Sequence, residues 1–163
     1  KALTMRFMRQ VSNRLDDEHR ASISLLDRVD RALAGRDEVA LKELAQPLVR
    51  QLEHEVTRHF RFEEQHLFPR MDEAGDGDLA ALLAEEHDTL RAVAEELLPL
   101  ARRLSGGALA APDRTTLMRL ANEMVERQVA HIQKETMALL PMLDDLLDDD
   151  SDRELAFAYA ADA

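Results

Sequence analysis

Apolar residues recur every three or four positions along almost the whole chain, as at Val11, Leu15, Ile23, Leu26 and Leu33. No stretch sustains the two-residue alternation of a half-buried strand. Glycines interrupt this pattern in three places only: at Gly35, at Gly75 with Gly77, and at Gly106 with Gly107. Three interruptions divide the chain into four amphipathic segments, predicted as helices over residues 4–34, 38–73, 78–104 and 112–147. Connections this short force consecutive helices to lie side by side in opposite directions, so the predicted fold is all-α, an antiparallel up-down-up-down four-helix bundle. Pro112 and Asp113 mark a helix start, where the missing N–H is harmless and a negative charge is favoured. Pro47, Pro69, Pro99 and Pro141 fall inside or near the ends of the segments, where each removes one backbone hydrogen bond and is expected to bend or stop its helix. Residues 1–150 are read as the bundle. Residues 151–163 are read as a tail that either frays or forms a short helix packed through Leu155, Phe157 and Tyr159.

Composition narrows the chemistry. A chain of 163 residues is long enough to bury a core without a metal or disulfide as staple, so a metal here would be functional. The absence of cysteine removes thiolate nucleophiles, CxxC redox chemistry and Cys-ligated clusters, leaving His, Asp and Glu as metal ligands. The net charge of -12 repels phosphate backbones and anionic membrane surfaces, which argues against nucleic acid as a partner. Half of that excess sits in one run, Asp144, Asp145, Asp148, Asp149, Asp150 and Asp152, read as a solvated helix end. Arg6 and Arg9 break the short apolar stretch around Met5, Phe7 and Met8, and no window is apolar enough to span a membrane; the expectation is a soluble, cytoplasmic protein. Lys1 is not an initiator Met, which leaves open whether sequence precedes it. Nothing in the pattern fixes an oligomeric state.

The segments are internally related. The second reads His59, Glu63, Leu67, Pro69 and the fourth reads His131, Glu135, Leu139, Pro141, at a constant offset of 72. Leu15, Glu18 and His19 of the first segment match Leu83, Glu86 and His87 of the third at an offset of 68. The chain is a duplicated helical hairpin, and each half supplies one lone His and one His-x-x-x-Glu. Residues four apart on a helix lie about 40° apart in phase and roughly 6 Å apart along the axis, so each His–Glu pair shares a face. That face is apolar: His59 and Glu63 accompany Leu48, Leu52, Val56 and Leu67, and His131 and Glu135 accompany Leu120, Met124 and Leu139. The same phasing places His19 with Leu15, Ile23 and Leu26, and His87 with Leu83, Leu90 and Ala94. Four imidazoles and two carboxylates therefore converge on the interior, where a lone carboxylate costs several kcal/mol. A metal pair held by His19, His59, Glu63, His87, His131 and Glu135 satisfies all six, and mixed imidazole and carboxylate ligands suit iron or manganese, with zinc admitted by ligand type. A polar core paired through Arg91 and Arg127 is the rival reading. By the same phasing His54 falls on the solvent side and His66 at the bundle end or behind the ligands, while Glu18 and Glu86, next to the lone histidines, are candidates to orient imidazoles.

His19 after DDE, HFRFEEQHLFP from His59, EEHDTL around His87 and HIQKETMALLP from His131 resemble the bacterial hemerythrin-like (HHE cation-binding) domain over about residues 5–147. The resemblance implies a non-haem centre of two iron ions, with Glu63 and Glu135 as bridging carboxylates and His19, His59, His87 and His131 as terminal ligands. It further implies that a small diatomic gas or peroxide is the partner, through binding or reaction with O2, peroxide or NO as sensor, scavenger or store. A redox enzyme that decomposes peroxide or reduces NO is the alternative. The pattern departs from the oxygen carriers: the positions four residues either side of His87 are Leu83 and Arg91, and Thr136 stands where their last motif has Asp. The related iron–sulfur repair proteins carry a cysteine-bearing module, and this chain has no cysteine.

Overall fold

The computed structural model of the protein describes residues 6–161. Within them the chain is helical, with no strand among the described residues. Helix α1 is Gln10–Ala34: residues 6–9, predicted to be helical, form bends instead, so the helix starts later than the apolar spacing suggests, while the predicted residue 4 and Met5 lie outside the described residues. Helix α2 runs over residues 38–73, α3 is Gly77–Gly106, α4 runs over residues 111–146, and α5 is Asp149–Ala161. Helix α1 packs on α2 and α4, and α3 packs on the same two, so the four long helices enclose one core while α5 lies against α1.

The prolines do not stop the helices. Pro47 and Pro99 sit inside continuous α-helix. Pro69 and Pro141 each follow a widened π-helical turn, Glu63–Leu67 in α2 and Glu135–Leu139 in α4, in which the N–H of Phe68 reaches the carbonyl of Glu63 and that of Leu140 reaches Glu135. In a regular α-helix the proline ring strikes the carbonyl four residues back. The extra residue in the turn relieves that clash, and it begins at the glutamates singled out by the repeat. A third widened turn, Glu55–His59, lies in α2 alone.

Apolar side chains form two clusters with a polar layer between them. One contains Leu26, Leu52, Phe60, Leu90, Met124 and Ile132, and the other Leu15, Phe62, Leu67, Leu83, Leu139 and Tyr159. His19 follows Leu15 and precedes Leu26, His87 lies between Leu83 and Leu90, and His131 and Glu135 lie between Met124 and Leu139. The layer therefore sits at the junction of the two clusters, each of which excludes water from one side of it.

Helix α1 has no side-chain cap of its own, since its N-cap is Arg9. Its exposed N–H groups are satisfied from the far end of the chain. The Asp152 carboxylate accepts from the backbone N–H of Gln10 and Val11 at 2.9 and 3.0 Å, and Asp144 accepts from those of Met8 and Arg9 at 3.0 Å each. The acidic run is thus only partly a solvated helix end: Asp152 is buried, and together with Asp144 it places negative charge at the positive end of the α1 dipole. Helix α5 docks through Leu155 and Tyr159, whereas Phe157 points away and is 76% exposed, which corrects its expected contact with the bundle. Replacing Asp152 with Ala leaves the N–H groups of Gln10 and Val11 uncapped, the second of them buried, and is expected to cost about 1–2 kcal/mol, a fall in Tm of roughly 3–8 °C at this chain length. Asp145→Ala, at an exposed position in the same run, should stay within about 0.5 kcal/mol in the same thermal melts.

Candidate metal centre

Each of the four long helices delivers part of the polar layer: His19 from α1, His59 and Glu63 from α2, His87 from α3, and His131 and Glu135 from α4. All six are at most 2% exposed. One donor atom from each of Glu63, His87, His131 and Glu135 lies within 4.8 Å of the others, and the same holds for His19, His59 and Glu135. The imidazoles divide between the two groups as they do between the halves of the repeat, whereas Glu63 of the first half joins His87 and His131, and Glu135 is common to both groups. The shared carboxylates cross between halves. Glu63 Oε1 is 3.5 Å from Nε2 of His59 and 3.4 Å from Nε2 of His87. Glu135 Oε1 is 3.3 Å from Nε2 of His131 and 3.2 Å from Nε2 of His19.

Every imidazole presents Nε2 to the centre and turns Nδ1 outward. With Nε2 left free, the Nδ1–H of His87 donates to Glu64 at 2.7 Å, that of His131 to Glu86 at 2.8 Å, and that of His19 to the Thr136 hydroxyl at 3.0 Å. Nδ1 of His59 faces Glu18 Oε2 at 3.4 Å and Glu55 Oε2 at 3.8 Å. Such outer partners set which ring nitrogen is available and raise its basicity. Ring packing holds the planes: Phe60 stacks on His87 with centroids 3.9 Å apart, and His19 stacks on His59 at 5.2 Å.

Burial, reinforced by the nearby Glu135 carboxylate, pushes the Glu63 carboxyl well above the usual carboxylate range. Burial acts on Glu135 in the same sense, but contacts with Glu63, His131 and His19 outweigh it and hold that group well below. Two carboxyls this close cannot both be charged without a counter-ion. Burial pushes the His87 imidazole down to about 4, so it stays neutral and able to ligate near neutrality. For His59 burial is outweighed by the neighbouring Glu55, Glu63 and Glu18 side chains, which lift it well above its ordinary value.

The arginine-paired alternative fails on geometry. Arg127 reaches Glu123 at the surface at 3.1 Å, and Arg91 reaches Glu64 at 2.7 Å, behind His87. Neither approaches Glu63 or Glu135. Both oxygens of Glu63, Oε2 of Glu135 and both ring nitrogens of His59 remain buried without a hydrogen-bond partner. Orphaned oxygen and nitrogen donors aimed at one another are what a cation would satisfy.

All six residues expected from the sequence are brought together. His54, expected in solvent, is half-buried with Nε2 on Glu18, because the widened turn Glu55–His59 breaks the phase arithmetic that relates it to His59. His66 stays outside the cluster and lies beside Phe62, ring centroids 5.2 Å apart. Glu18 and Glu86 do face imidazoles, though those of His59 and His131 rather than their chain neighbours. Sequence reasoning missed Glu64, Thr136, Glu55 and Tyr159. Glu64 and Thr136 share a legible signal, since each directly follows a central glutamate at the repeat offset.

Replacing Glu63 with Met exchanges a partnerless buried carboxyl for an apolar chain of similar length. The metal-free protein is expected to gain about 1–3 kcal/mol in urea unfolding; a loss instead would show that Glu63 is paired within the protein. A family model, the hemerythrin HHE cation-binding domain, matches residues 10–143. No curated protein matches the chain.

Proposed function

The chain belongs to the hemerythrin HHE cation-binding family, and from that premise we propose that it is a non-haem di-iron protein that binds or reacts with O2, peroxide or NO as sensor, scavenger or store. The observation that carries this reading is the convergence, in one buried layer, of four Nε2 atoms and two carboxyl groups, of which Glu63 has no hydrogen-bond partner on either oxygen and Glu135 none on Oε2. In this proposal His19 and His59 hold one iron, His87 and His131 hold the other, and Glu63 and Glu135 bridge them inside an antiparallel four-helix bundle. The iron pair, when bound, supplies reversible one-electron chemistry and positions at which a small molecule binds.

The rest falls to the chain. Two imidazoles for each metal would be a more symmetric donor set than that of the oxygen carriers, which have a fifth histidine, and would leave each metal free to bind a small molecule. Such a centre favours reaction with peroxide, oxygen or NO over reversible carriage alone. Leu15, Leu83 and Leu139 on one side and Phe60, Leu90 and Met124 on the other keep bulk water away. Glu64 with Arg91, and Glu86 with Lys134, hold negative charge behind His87 and His131, which strengthens both imidazoles as donors. No helix among the described residues is long and apolar enough to cross a membrane, and the proposed setting is the cytoplasm.

Metal analysis after anaerobic reloading is expected to find two equivalents of iron. Glu63→Ala and Glu135→Ala should each lose most of it, and His66→Ala should retain it. Fewer than one equivalent in the unaltered protein would overturn the proposal. Optical spectra of the reduced protein before and after O2, peroxide and NO then identify the small molecule, and turnover of peroxide or NO separates an enzyme from a binder. A reversible oxygen adduct lasting well beyond minutes would move the reading toward carriage.

A further inference from the structure

The two halves of the repeat orient their imidazoles by different means. In the second half both outer partners are carboxylates fixed by side-chain cations: Glu64 behind His87 is held by Arg91 at 2.7 Å, and Glu86 behind His131 is held by Lys134. The repeat offsets give the first-half counterparts directly. Thr136 stands in register with Glu64, Ile23 with Arg91, and Phe62 with Lys134. The first half therefore lacks both cations. His19 has a neutral hydroxyl as its outer partner, and Glu18, the counterpart of Glu86, has no lysine to hold it.

Helix α5 supplies what is missing. The Tyr159 hydroxyl donates to Oε2 of Glu18, whose Oε1 is hydrogen-bonded to Nε2 of His54, and the same Oε2 lies 3.4 Å from Nδ1 of His59. Tyr159 is itself buried and clamped. The Arg58 guanidinium donates to its carbonyl at 2.6 Å and lies 4.7 Å above its ring, Arg14 lies 5.5 Å from the ring, and Phe62 packs on it at 4.7 Å. The residue in register with Lys134 thus serves as a seat for the tyrosine that takes over its task.

We infer that Tyr159 is a positioning residue for His59, acting through Glu18, so that metal binding by the His19/His59 half of the centre depends on the docking of α5 while the His87/His131 half does not. The inference rests on the metal-centre reading and adds that the two halves are unequal and that the C-terminal helix controls one of them.

The test is an anaerobic Mn(II) titration followed by electron paramagnetic resonance. His87→Ala leaves the first half as the better site, and His19→Ala leaves the second. Adding Tyr159→Phe is expected to weaken Mn(II) binding about tenfold in the His87→Ala protein and to change it less than twofold in the His19→Ala protein. Lys134→Met should show the mirror image. Glu18→Gln should reproduce the Tyr159→Phe effect while keeping α5 docked. The chain has one tyrosine and no tryptophan, so emission from Tyr159 reports that docking directly. Equal weakening of both halves by Tyr159→Phe, or no weakening of the first, overturns the inference. Two equivalents of Mn(II) in the unaltered protein without half-specific effects leave the metal-centre reading intact; fewer than one equivalent overturns both.

Discussion

Two carboxylates in the middle of a helical bundle have no water to solvate their charge, and burying even one of them costs several kcal/mol unless something answers it. Glu63 and Glu135 are in this position, and most of what surrounds them can be traced to it. Four imidazoles face them, both apolar clusters stop short of them, and no arginine or lysine among the described residues pairs with them. A core that only had to be stable would fill this layer with leucine. That it does not is the clearest physical sign that the layer exists to hold something positively charged.

The demand propagates outward in shells. A neutral imidazole with the correct nitrogen inward needs an acceptor behind it; for His87 and His131 that acceptor is a carboxylate, and a third carboxylate, Glu18, faces Nδ1 of His59 at 3.4 Å. Those carboxylates lie nearer the surface and need a donor or cation of their own, which Arg91, Lys134 and Tyr159 provide. The last of these draws in α5, and α5 begins with the aspartate that caps α1. A requirement set at the centre thus reaches the end of the described chain.

Much of this is legible in the sequence because helices are periodic and the chain repeats itself. The three glycine breaks give the four long segments to within a few residues, apart from the start of α1, and the recurrence of His-x-x-x-Glu gives the six central residues. What escapes has two causes. Contacts between distant positions, such as Asp152 with Gln10 or Tyr159 with Glu18, leave no trace in local spacing. Widened turns are invisible to arithmetic at 100° per residue, which is why His54 is misplaced and why Pro69 and Pro141 look like helix breakers when they follow turns already opened to receive them.

The widened turns also separate winding from sequence register. Those at Glu63 and Glu135 recur at the repeat distance and precede equivalent prolines, whereas the turn at Glu55 has no counterpart in α4, which is regular from Ala111 to Lys134. Yet Leu48 and Leu52 before that turn and His59 after it keep the same offset of 72 to Leu120, Met124 and His131. The two copies therefore have the same number of residues here and differ in how the backbone is wound, in the helix that delivers His59 and carries Arg58, the residue that clamps Tyr159.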